Sequence, residues 1–86
     1  MEKVQVIHTF QKNKEEEVRC SIREYRERQY FDVRVWFLSG EGGEYHPTKK
    51  GITLSLELLP ELRKGIERVS RQASELALPR RANSVE

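Results

Sequence analysis

From Gln29 to Leu38 the chain alternates cleanly: Phe31, Val33, Val35 and Phe37 fall on one side of an extended backbone, and Tyr30, Asp32, Arg34 and Trp36 on the other. A period of two held over this length commits the segment to a strand with one apolar face. The apolar set reads as core. The second set is less ordinary, because an exposed strand face bearing Tyr, Arg and Trp is costly unless another molecule or subunit covers it.

The flanking segments fit a sheet. Val4 to Phe10 has the β-branched and aromatic content of a short strand, followed by a polar loop from Gln11 to Glu17. Val18 to Tyr25 alternates again, with Val18, Cys20 and Ile22 on one face and Arg19, Ser21, Arg23 and Tyr25 on the other. Arg26-Glu27-Arg28 is a polar turn without Gly or Pro, and Ser39-Gly40-Glu41-Gly42-Gly43 is a flexible one. The basic turn Lys49-Lys50-Gly51 leads into a last strand at Ile52-Thr53-Leu54.

Beyond it, Leu59, Leu62, Ile66, Val69, Ala73 and Leu76 recur at spacings of three and four, the mark of an amphipathic helix. Ser55 can cap it, but Pro60 lies about a turn further on, so either the first turn is irregular or the helix begins nearer Leu59. Strands followed by one helix give an α+β chain, β-β-β-β-α, with an antiparallel sheet whose one face the helix covers. Residues 1–78 form the expected domain, and residues 79–86, including Arg80 and Arg81, a disordered tail.

Eighty-six residues are enough for one domain and leave a small core, so a dimer would help to cover apolar surface. The far end of the helix stripe, Val69, Ala73 and Leu76, is the segment expected to meet a partner helix in a two-fold dimer. Sixteen Lys and Arg against 14 Asp and Glu leave a net charge of +2, so any anion-binding surface must be a local patch. A single cysteine, Cys20, with no secretory signal before it, is read as a strand core residue in a reducing interior, and no apolar run approaches the length of a membrane span. The expected setting is cytoplasmic and nucleoid-associated, without membrane.

Aromatic rings and cations on one strand and an adjoining basic turn suit single-stranded nucleic acid, which offers bare base faces and a line of phosphates. Taken alone, Tyr25, Trp36 and Phe37 are as well explained by packing, Arg34 by a salt bridge to Asp32 or Glu24, and Lys49 and Lys50 by a solvated turn. Glu24 and Glu27 could neutralise Arg26 and Arg28. His8 and His46 offer no metal spacing, and neither a catalytic arrangement nor a cofactor motif emerges, so no enzyme is expected.

Three segments, Ser21-Ile22-Arg23-Glu24-Tyr25, Phe31-Asp32-Val33-Arg34 and Pro47-Thr48-Lys49-Lys50-Gly51-Ile52-Thr53-Leu54, together resemble the positive cofactor four family of transcriptional coactivators. The resemblance extends from Val18 to Val69, and its most specific piece is the basic-Lys-Gly-Ile-Thr-Leu strand start before the helix. It implies a homodimer that binds single-stranded DNA or melted duplex irrespective of sequence, without catalysis or cofactor. It also places Tyr25, Arg26, Arg28, Arg34 and Lys50 along the strand-binding groove. The family's strand-end aromatic falls on Phe37, while alternation favours Trp36, and both are retained as candidates with Lys49. His46, Thr48 and Leu56 depart from common family residues. The acidic leader of the eukaryotic coactivator is absent, which points to a compact prokaryotic or phage-like version. RNA polymerase or other transcription and replication proteins are the candidate protein partners. The alternatives are an RNA-binding protein and a dimeric protein-interaction module.

Overall fold

Each strand-forming stretch pairs with the next one along the chain, as short connections favour. The computed structural model describes residues 2–40 and 42–76. β1 (Lys3–Gln11), β2 (Glu16–Tyr25), β3 (Arg28–Leu38) and β4 (Tyr45–Ser55) form one antiparallel sheet in the order β1-β2-β3-β4. A single 3₁₀ turn, Leu56–Leu58, leads into α1 (Leu59–Glu75). The limit expected at residue 78 and the tail beyond it lie outside the described residues.

Two connections are tighter than their composition advertises. Between β1 and β2, Asn13 Oδ1 accepts hydrogen bonds from the backbone N–H groups of Glu15 and Glu16 at 3.0 and 2.9 Å, so most of the expected polar loop is absorbed into a short turn and the start of β2. Arg26 and Glu27 form a two-residue hairpin turn in which both have positive φ, 53° and 65°. That geometry matches the twist of the flanking strands, but it is one that Asn and Gly adopt more cheaply.

β4 departs from expectation. It runs unbroken through Pro47 and the Lys-Lys-Gly segment, where a turn and only a three-residue strand were expected. Pro47 is tolerated because β4 is an edge strand and its nitrogen need not donate. Between the pairs Arg34–Gly51 and Trp36–Pro47 the register shifts, so Thr48, Lys49 and Lys50 bulge out of the ladder. Thr48 organises the bulge: its hydroxyl donates to the Val35 carbonyl at 2.8 Å and accepts from the Lys50 N–H at 3.1 Å. Gly51 then lies hard against β3, where a Cβ would stand 2.6 Å from the Val33 carbonyl oxygen and 2.9 Å from Arg34 Cα.

The helix begins as the sequence indicates. Ser55 Oγ accepts from the Glu57 N–H at 3.4 Å to cap the 3₁₀ turn, and the proline falls in the first turn of α1. Its placement does not follow expectation. α1 packs on the 3₁₀ turn and leaves the sheet instead of covering one of its faces. Ile66 and Val69 are consequently 57% and 69% exposed. The radius of gyration is 15.1 Å, against about 12 Å for a compact chain of this length.

The sheet's apolar face, with Val18, Cys20 and Ile22 beside Phe31, Val33 and Val35, is likewise only half-buried. Among the described residues no hydrophobic side chain is fully buried. Hydrophobic burial is the main favourable term in folding, so this surface calls for a cover that the described residues of one chain do not supply.

Candidate nucleic-acid interface

The register of β2 and β3 is continuous and settles which side chains share the polar face. Tyr25 pairs with Arg28, Arg23 with Tyr30, Ser21 with Asp32, Arg19 with Arg34 and Glu17 with Trp36. All ten therefore line one surface. Thr53 and Ser55 of β4 join it opposite Asp32 and Tyr30. Trp36 belongs to this face, whereas Phe37, paired with Glu16 and His46, belongs to the reverse. A ligand lying on the polar face does not meet Phe37 of the same protomer.

Asp32 sits at the centre of the face with only 4% of its surface exposed. Its Oδ1 accepts from Arg34 Nη2 at 2.8 Å and from Thr53 Oγ1 at 2.6 Å, its Oδ2 accepts from Arg34 Nε at 3.3 Å, and Arg23 lies 3.9 Å away. Burial pushes this carboxyl up, but the hydrogen bonds from Arg34 and Thr53 and the charges of Arg34 and Arg23 outweigh it and hold the group below the ordinary carboxylate range. Arg34 also donates to the Thr48 carbonyl at 3.1 Å and to Thr53 Oγ1 at 3.2 Å. It thus joins β3 to the β4 bulge, and most of its donors are already engaged.

At one end of the face the β2–β3 hairpin presents Tyr25, 46% exposed, with the Arg26 guanidinium 5.3 Å from its ring centre. Arg28 follows on the face beside it. Neither Arg26 nor Arg28 forms an ion pair among the described residues, and the neighbouring Glu24 and Glu27 do not neutralise them. Lys49 and Lys50 are likewise exposed and outside any such pair.

At the other end Trp36 is covered. The Arg19 guanidinium lies 4.1 Å from the Trp36 ring centre and 5.5 Å from that of Tyr45, while Arg19 Nε donates to Glu17 Oε2 at 2.6 Å. Tyr45 extends across the sheet far enough for its hydroxyl to accept from Gln11 Nε2 at 3.3 Å. Alternation already put Arg19 on the face of Tyr25, but sequence reasoning did not single it out as a site residue, and it missed Tyr45, which carries no strand signal of its own.

Among the described residues no group of three His, Cys, Asp or Glu could hold a metal ion, and no helix is long and apolar enough to cross a membrane. Cys20 lies on the apolar face, where burial pushes its thiol up.

Fold and face define a small antiparallel-sheet module with a trailing helix. The chain belongs to the Transcriptional Coactivator p15 (PC4) family, whose sequence model matches residues 12–65. It is 40% identical over 46 residues to the RNA polymerase II transcriptional coactivator SUB1 of Saccharomyces cerevisiae; the match covers 54% of this chain and 16% of that protein. The crystal structure of a PC4 homolog from Burkholderia pseudomallei superposes with a TM-score of 0.72 at 36% identity, covering 78% of this chain and 89% of that one. The bacteriophage T5 homolog, implicated in recombination-dependent DNA replication, shares the fold with a TM-score of 0.56 at 23% identity, over 91% of this chain and 98% of that one.

Proposed function

We propose that this chain is a single-stranded-DNA-binding protein, active on melted DNA during transcription, replication or repair and largely indifferent to sequence. The observation that carries the reading is the exposed Tyr25 ring flanked by Arg26 and Arg28, at the open end of a polar sheet face in a member of this coactivator family. A ring of this kind stacks on any base, and cations around it take the phosphates on either side.

In this reading Tyr25 stacks, while Arg26, Arg28, Lys49 and Lys50 hold phosphates. Arg34 acts mainly from within, fixing Asp32 and the bulge that carries both lysines, and adds its positive field. Trp36 serves as a packed wall beneath Arg19 more than as an open platform. Phe37 reaches a bound strand only from another protomer or at the sheet rim.

The active unit is a homodimer. The stripe of exposed Val69 and Leu76 and half-buried Ala73, with the half-buried reverse of the sheet, supplies the self-complementary apolar surface that a two-fold interface needs. RNA polymerase or other transcription or replication proteins are its candidate partners.

Titration of fluorescent oligo-dT, with duplex and RNA of the same length alongside, tests the reading. Salt-sensitive binding that favours single-stranded DNA is expected. Equal affinity for RNA would favour the RNA-binding alternative, since stacking and phosphate contacts do not read the 2′-hydroxyl. Absence of binding at low salt would leave the face as a protein-docking surface.

A further inference from the structure

The arginines of the polar face differ in what they still have to offer. Arg34 spends donors from Nε, Nη1 and Nη2 on Asp32, Thr48 and Thr53. Arg23 is bound to Glu2 and stands near Asp32. Arg19 uses only Nε, on Glu17, and among the described residues neither of its terminal nitrogens has a hydrogen-bond partner. Its side chain is nevertheless only 23% exposed, with the guanidinium carbon 4.1 Å from the Trp36 ring centre and 5.5 Å from that of Tyr45.

A planar cation tied by one ion pair and two ring contacts, with its terminal nitrogens unused, is preorganised for an oxyanion, since little rotamer freedom remains to be lost when one arrives. We infer that Arg19 is a phosphate-binding residue of this face, presenting its Nη1 and Nη2 groups to the strand backbone while Trp36 and Tyr45 hold its plane and Glu17 its Nε. The bound strand then runs from Tyr25 towards Arg19, and the Arg19–Trp36–Tyr45 cluster marks the far end of its track. The Glu17 carboxylate opposes an approaching phosphate, yet it engages only Nε, so the two terminal nitrogens keep their donors for the ligand. The inference rests on the single-stranded-DNA reading and adds a contact to it.

Wild type, Arg19→Gln and Arg19→Lys are titrated with labelled oligo-dT between 0.05 and 0.3 M salt (roughly the range over which counterion release is steep), with thermal melts confirming that each variant is folded. Loss of one phosphate contact is expected to lower the slope of log affinity against log salt by about 0.7 and to weaken binding about five-fold at 0.1 M salt in Arg19→Gln. Arg19→Lys, which keeps the charge, is expected to keep the slope. The emission of Trp36, the one tryptophan of the chain, supplies a readout that needs no variant: saturation of wild type with oligo-dT is expected to change it, because the strand draws on the cation lying over that ring. If wild type binds but Arg19→Gln retains the same slope and affinity, or if Trp36 emission is unmoved at saturation, Arg19 is not a phosphate ligand and the DNA-binding reading survives without it. If wild type itself does not bind, it is that broader reading that falls.

Discussion

Arg34 and Asp32, two residues apart on the same strand and therefore on the same face, are bonded to one another through Nη2 and Oδ1 at 2.8 Å and Nε and Oδ2 at 3.3 Å. This pair occupies the middle of the surface that the sequence offers as an anion-binding face. Its effect is to turn a candidate ligand contact into the hub that ties β3 to the β4 bulge through Thr48 and Thr53.

Acid should dismantle that hub. The folded carboxyl of Asp32 is held below its ordinary value of 3.8, so the stability it contributes is present above about that pH and is lost as pH falls towards the lower folded value. Urea midpoints followed from pH 7 to pH 2 should therefore drop steeply below about pH 4. Asp32→Asn should be less stable than wild type at pH 7 and show a shallower acid limb. Parallel acid limbs would mean that Asp32 is not the group responsible.

Gly51 is expected to tolerate no side chain. A Cβ at 2.6 Å from the Val33 carbonyl meets backbone that cannot swing aside. Gly51→Ala should cost about 1–3 kcal/mol by urea denaturation, the usual range for forced overpacking. Because Gly51 anchors the bulge that carries Lys49 and Lys50, the variant should also lose affinity for oligo-dT.

The hairpin turn stores strain that can be relieved. Glu27 at φ 65° pays the left-handed penalty that Gly escapes. After allowance for the greater freedom of Gly in the unfolded chain, Glu27→Gly should stabilise by about 0.5–1 kcal/mol. Removing a carboxylate beside Arg26 and Arg28 should leave oligo-dT affinity equal or improved. A lower melting temperature would show that the turn is not strained.

Stability should be inseparable from assembly. Sedimentation should give twice the 10.2 kDa chain mass, and the melting temperature should rise with protein concentration. Val69→Asp places a charge in the most exposed part of the helix stripe and should shift the protein to an unfolded or weakly folded monomer. A monomer as stable as wild type would contradict the dimer.

The succession of strands, the extent of β3, the end of β2 and the start of the regular helix near Leu59 were legible because alternation, capping and proline act locally, whereas the start of β2 at Glu16 lay in a segment of loop composition. β4 was not, since Pro47 and Lys49-Lys50-Gly51 carry turn composition, and only the pairing with β3 shows that an edge strand can absorb them as a bulge. The same helix stripe serves equally for packing on its own sheet or on a partner, so periodicity could not tell which. At the site, alternation put Tyr25 with Arg19 and Arg23 on one strand, and Arg34 with Trp36 and apart from Phe37 on the next, as the register shows. The i, i+2 spacing from Asp32 also offered the salt bridge that now holds Arg34. What it could not reach was Arg19 between Trp36 and Tyr45, which depends on cross-strand register and on a side chain from a segment with no strand signal.

The central claim is that single-stranded DNA binds the polar face through Tyr25, and the most direct measurement is a titration of fluorescent oligo-dT at 0.1 M salt (roughly one Debye length of 10 Å) with wild type, Tyr25→Ala and Phe37→Ala. Loss of a stacking ring costs about 1–3 kcal/mol, so Tyr25→Ala should bind at least about five-fold more weakly, and by more than Phe37→Ala on the reverse face. Undiminished binding by a folded Tyr25→Ala, or a larger loss in Phe37→Ala, would contradict the account.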